Sequence, residues 1–203
     1  AQAEATSYPV AVSNAIQNLQ GVALGAPNSA VLCGYSPGAT LLVSEVAPNQ
    51  AGGADLVELR VARGGSLAGM TLRADPTAAA AGTLLATFPA ICAQANDLVV
   101  VHLTPPATGS APASESLSKS QYATASYARN FDNAWDVLGG NSGLGFSDHV
   151  VAIRSSAGTV IEAAAFSDQI GGATGTGFRD SLAYVQGLGL WMPPNCGGAT
   201  CTD

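Results

Sequence analysis

Glu45 and Glu58 lie inside two apolar, strand-like runs, TLLVSEVA (40–47) and ADLVELRVA (54–62). Two carboxylates on neighbouring strands are the minimum needed for acid–base or nucleophilic work on a glycosidic bond, but only if their carboxyls face each other across a cleft. Nothing in the sequence places a cleft there. Both residues therefore read as scaffold, carboxylates that accept backbone N–H groups and fix turns. The two histidines, His102 and His149, offer little more. Asp148-His149 with a serine would imitate a nucleophilic triad, yet no G-x-S-x-G elbow is present. His102, in VVVHL, alternates as a packed or rim strand residue, and two histidines without a third ligand do not define a metal site. Asn130, Asp132, Asn133, Asp136 and Asn141 supply hard oxygens in a Gly-rich stretch, but their spacing does not match a calcium loop. Asx residues at such places equally make turns. Trp135 and Trp191 read as core or interface anchors. The expectation is a chain with no catalytic residue, no metal and no cofactor.

The elements that would position these residues are constrained first by composition. Of 203 residues, 47% are hydrophobic and 10% charged, with a net charge of -7. A typical soluble chain carries about 25% charged residues. Acidic excess repels phosphate backbones and anionic lipid, so nucleic acid and membrane surfaces are poor partners. No run approaches the roughly 18 apolar residues of a spanning helix, so membrane insertion is not expected. A weakly charged surface favours association. AQAEATSYP at the start resembles the mature end left by signal-peptide removal, and four cysteines fit export and two disulfides. Cys196 and Cys201 bracket GGAT closely enough for a local bridge, which leaves Cys33 and Cys92 to pair by default. A four-thiolate zinc site would need paired close spacing that these cysteines lack. The expected location is secreted, extracellular or at the cell surface.

The pattern divides the chain into three segments: an N-terminal arm (1–38), a β-domain (39–190) and a Cys-bounded tail (191–203). Short apolar runs at 40–47, 54–62, 68–74, 82–89, 96–103, 148–156 and 158–166 alternate with turn residues, which predicts an antiparallel β-sandwich. The last two form a hairpin around Ser156, Ala157 and Gly158. DSLAYVQGL (180–188) reads as a final strand. Residues 105–130, rich in Ser, Ala and Pro, form a long loop insertion. GGATGTG (171–177) is a second loop, with no helix expected after it and no Lys-Ser/Thr to cradle phosphate. Leu42, Val57, Leu59, Leu72, Val99, Val101, Val151 and Ile161 are the expected core.

LLVSEVAPNQAGGADLVELRV, SLAGMTLRA and NDLVVVHL together resemble the lamin tail domain family, in the form found on exported bacterial proteins. The family's strand ending in Glu, its Asp before a VEL strand, its L-x-G turn and its V-V-V strand fall here on Glu45, Asp55, Glu58, Leu67 to Gly69 and Leu98 to Val101. NAWDVLGGNSGLGFSDHVVAIRSSAGTVIEAAAF resembles the family's closing segment. The resemblance spans residues 40–166 and departs from the family at Arg60 to Arg63, where an asparagine is usual, and at the 105–130 insertion. It implies an immunoglobulin-like β-sandwich serving as an interaction module, and it carries no catalytic residues.

The functional expectation is a non-enzymatic extracellular structural protein, a subunit of a surface filament or pilus-like homopolymer. Val10, Val12, Ile16 and Leu19 on the arm would insert into a neighbouring subunit as an exchanged strand. The alternative is a monomeric secreted adhesion or ligand-binding module.

Overall fold

The computed structural model describes residues 7–12, 17, 22, 28–33, 38–48, 55–103, 134–140, 143–145, 147–167 and 175–191. The described residues between 39 and 191 build a β-sandwich with one covering helix. The first sheet contains β3 (Thr40–Ala47), β4 (Leu56–Arg63), β9 (Leu98–His102) and β10 (Ala134–Leu138), in the order β10–β9–β4–β3. The second contains β6 (Thr71–Ala74), β7 (Thr83–Thr87), β11 (His149–Arg154) and β12 (Val160–Phe166), in the order β12–β11–β6–β7. Two short strands, β5 (Gly65–Ser66) and β8 (Cys92–Ala93), pair separately. All pairs are antiparallel except β9 with β10. Parallel neighbours need a crossover of a dozen residues or more. The connection through 103–133 meets that need, so the long insertion in the sequence has a topological reason.

Alternation sets the core. Leu41, Val57, Leu59, Val61, Val99, Val101 and Val137 face inward from the first sheet; Leu72, Ala74, Leu85, Val151 and Ile153 face them from the second. Six of the eight expected core residues are fully buried: Val57, Leu59, Leu72, Val99, Val101 and Val151. Ile161 is half-buried against the core at a bulge opposite Ile153 and Arg154. Leu42 is the correction, being 38% exposed while Leu41 is at 0%. Both positions are leucine, so apolar character could not choose between them. Register chose: Leu41 stands opposite Val61 and Leu42 opposite Arg60.

The sandwich closes at both sides. β12 runs alongside β3. At the other side, Gly140 N–H donates to the Leu85 carbonyl at 2.6 Å, carrying the end of β10 onto β7. A Cβ on Gly139 would lie 2.8 Å from that same carbonyl oxygen, so only glycine allows the approach.

Residues 180–188 are helical rather than a last strand. The helix α1 (Thr176–Gly187) begins within the Gly-rich run and ends before Gly189, whose φ of 73° supplies the left-handed terminator. Phe178, Leu182 and Val185 recur at four and three residues, which puts them on one helical face. That face covers Val150, Ala152, Val160 and Ala163 on the outer side of the second sheet. Leu182 and Tyr184 alone mimic strand alternation, and the sheet beneath decided the outcome.

The N-terminal segment is extended at β1 (Ser7–Val12), but it does not remain a single strand. It pairs antiparallel with β2 (Asn28–Cys33), from Ser7 opposite Cys33 to Val12 opposite Asn28. This two-stranded ribbon is a separate sheet, not an addition to the sandwich.

Candidate functional site

The candidate residues separate into a face of carboxylates, two histidine–aspartate pairs and the tethered ribbon. Glu45 and Glu58 do come together, directly opposite each other on β3 and β4. Glu45 is exposed and Glu58 half-buried, and the Ser44 hydroxyl donates to Glu58 Oε1 at 2.7 Å. They share one open strand pair instead of facing across a cleft. Like charges directly opposite are mildly destabilising, an effect the serine hydroxyl offsets. The backbone-binding role expected of them belongs to aspartates. Asp55 Oδ2 accepts Leu144 N–H at 3.2 Å, and its carbonyl accepts Leu103 N–H at 2.9 Å, tying the start of β4 to two loops. Asp97 Oδ2 accepts Gln94 N–H at 2.9 Å and Trp135 Nε1–H at 2.8 Å, so Trp135 anchors β10 to the turn before β9.

His102 lies within β9 and His149 opens β11, and each has an aspartate partner that sequence spacing did not indicate. His102 Nε2 meets Asp136 Oδ1 at 2.7 Å, with side-chain exposures of 6% and 1%. Parallel pairing of β9 with β10 sets Leu138 opposite His102, placing Asp136 two residues along on the same face. This contact takes Asp136 from the suspected calcium-binding set; Asn130, Asp132, Asn133 and Asn141 lie outside the described residues. Among the described residues no group of three or more His, Cys, Asp or Glu is arranged to hold a metal ion.

His149 Nδ1 meets Asp75 Oδ2 at 2.8 Å at the rim of the second sheet. Asp75 also accepts Val150 N–H on Oδ1 at 2.9 Å and donates its own N–H to the Val150 carbonyl at 2.7 Å. Its φ of 53° is left-handed, a conformation aspartate tolerates better than most residues. The A-D-P-T turn sequence was the available signal for this role. The His149 ring packs against Phe166 with centroids 5.8 Å apart. Asp148 points elsewhere: it accepts the Ser167 hydroxyl and, at 3.4 Å, Gly175 N–H at the start of α1. The dipeptide Asp148-His149 is thus split between the helix and the turn after β6, and it does not form the dyad its adjacency suggested.

Glu162 stands opposite Ile153 on β12, an edge strand of its sheet. Burial raises its carboxyl pKa above the usual 4.5. A half-buried carboxylate on an edge strand discourages another strand from pairing there.

Cys33, at the end of β2, is bonded to Cys92, at the start of β8, with Cα atoms 5.3 Å apart. The default pairing read from the sequence is therefore present. Cys196 and Cys201 lie outside the described residues, as do Ile16 and Leu19 of the expected interface. Val10 is 42% exposed on β1. Val12 ends β1, and its side chain lies outside the described residues.

The sandwich and its helix coincide with the span of a family model. The chain belongs to the TP_1001_2nd family, described as a protein second domain, which matches residues 39–196. No curated protein matches the chain. Among the described residues no helix is long and apolar enough to cross a membrane.

Proposed function

We propose that this chain is a non-enzymatic extracellular structural protein of the lamin tail domain kind, with an immunoglobulin-like sandwich, that assembles as a homopolymer through its N-terminal segment. The observation that carries the reading is the β1–β2 ribbon. Among the described strands, β1 pairs with β2 alone. Val10 adds exposed apolar surface on β1. A two-stranded ribbon is marginal by itself in water, and a further strand is what stabilises it. Pairing β1 of one copy with β2 of the next is head-to-tail and propagates, whereas β1 with β1 closes a dimer. The disulfide suits an oxidising, extracellular setting. The low charge makes the contact tolerant of salt.

The closed sides of the sandwich favour the second reading, a monomeric adhesion or ligand-binding module. β3 and β12 both carry register shifts, and Glu162 guards β12, so among the described residues the sandwich has no groove plainly short of a strand. Assembly therefore runs from ribbon to ribbon, not by insertion into a neighbouring core. Negative-stain imaging and light scattering of wild-type and Val10→Asp/Val12→Asp protein test the proposal. Polymers of wild type and folded monomers of the variant are expected. Wild-type protein that stays monomeric at high concentration would sink assembly and leave the adhesion module.

A further inference from the structure

We propose that the Asp75–Pro76 peptide bond is a self-cleaving processing site, opened by acid, that the folded protein holds shut through His149 and Val150. The inference is independent of assembly and rests on one peptide bond and the groups around it. An aspartyl–prolyl bond carries its own nucleophile, because the side-chain carboxyl reaches the residue's own carbonyl carbon through a five-membered ring. The proline nitrogen, part of a tertiary amide, is the leaving group. One Asp75 carboxyl oxygen bonds to the Asp75 carbonyl carbon, the carbon–nitrogen bond to Pro76 breaks, and the carboxyl proton passes to the Pro76 nitrogen. The cyclic anhydride left at residue 75 takes up one water and opens to a free aspartic acid terminus. No electrons are exchanged, and water is the only co-reactant. The bond follows a residue with a φ of 53°, an unfavourable conformation that cleavage releases.

In the fold both carboxyl oxygens are engaged elsewhere. Oδ1 accepts Val150 N–H at 2.9 Å, and Oδ2 meets His149 Nδ1 at 2.8 Å. These donors favour the ionised carboxylate, which has no proton to give the leaving nitrogen. The nitrogen is also enclosed: Pro76 is buried, and a Cβ on Gly82 would stand 2.8 Å from it and 3.0 Å from the Asp75 carbonyl carbon. Arg73 keeps Gly82 in place by donating Nη1–H to its carbonyl at 2.8 Å. Asp148 is turned to the Ser167 hydroxyl and Gly175 N–H. His149 is thus the titratable side chain in contact with the carboxyl, and on β12 the uncharged Phe166 backs its ring. Acid protonates Asp75, weakens both charge-assisted bonds and supplies the proton that cleavage needs. The cut falls in the loop between β6 and β7, whose strands stay paired, and Cys33–Cys92 joins the two pieces covalently.

The test incubates the full chain for days at about pH 4, near the ordinary aspartate pKa, with folding checked by circular dichroism. Pieces 1–75 and 76–203 are identified by mass spectrometry after gels run with and without reductant. Wild type denatured in guanidinium should cut at this bond at least about tenfold faster than folded wild type. Folded His149→Leu, which loses the donor, should cut several-fold faster than folded wild type. His149→Gln, which keeps a donor, should stay near the wild-type rate. Pro76→Ala should remain whole, and without reductant the cut wild-type chain should run as one species. Equal rates in folded and denatured wild type, no acceleration in His149→Leu, or cutting that persists in Pro76→Ala would each overturn the proposal. The comparison of folded with denatured wild type decides without any variant having to fold.

Discussion

Asp75 gathers three polar contacts at the rim of the second sheet, with the His149 ring and with both backbone groups of Val150, and its backbone lies in a region that most side chains avoid. Asp75→Asn keeps an oxygen for Val150 N–H and tolerates the left-handed conformation, so it should cost about 1 kcal/mol. Asp75→Ala loses both acceptors and adds backbone strain, and should cost roughly 2 to 4 kcal/mol in urea unfolding. Glu162 makes a prediction of opposite sign. Burial raises its folded pKa above the unfolded value, so the folded state holds its proton more tightly. Stability then falls as pH rises from the unfolded pKa through the folded one, because the ionised carboxyl must be kept half-buried. Glu162→Gln should remove that fall and be more stable than wild type at neutral pH, measured as urea midpoints across a pH series. The aspartate partners of the histidines were not legible in the chain. Asp75 lies 74 residues from His149 and Asp136 lies 34 from His102, so only pairing register joins them.

At the scale of elements, the strands were legible because each is a short apolar run bounded by turn residues. The β11–β12 hairpin is the plainest case, with Gly158 at a φ of 85° in the turn read from Ser156-Ala157-Gly158. Val57→Ala or Val99→Ala should destabilise by roughly 1 to 3 kcal/mol, since both are completely buried between the sheets. Helix α1 was misread because a short amphipathic segment is ambiguous until it meets a surface. Its contact with the second sheet contains an imperfection: Ser181 is fully buried, and its hydroxyl has no hydrogen-bond partner. Ser181→Ala should therefore stabilise the protein by about 1 kcal/mol, read as a rise in thermal midpoint. A fall would mean that the hydroxyl contributes to packing.

For the whole molecule, the disulfide does more than hold the ribbon. It spans a separation of 59 residues that includes β3 to β7, so it restricts the unfolded chain as well. Its loss in Cys33→Ser/Cys92→Ser should lower stability by about 2 to 4 kcal/mol, within the roughly 5 to 15 kcal/mol of a typical domain. The sandwich should remain cooperative, with a lower urea midpoint and an unchanged slope. Composition and local period were enough to indicate an all-β domain, its inner residues at Val57, Val99 and Val151, and a default pairing of Cys33 with Cys92. These properties are carried by neighbours along the chain. Long-range packing was needed to turn Leu41 inward instead of Leu42, to lay β10 parallel to β9, to coil residues 176–187 against a sheet, and to fold the N-terminal arm back as a ribbon. Each was a choice between locally similar alternatives, settled by contacts between residues far apart in the chain.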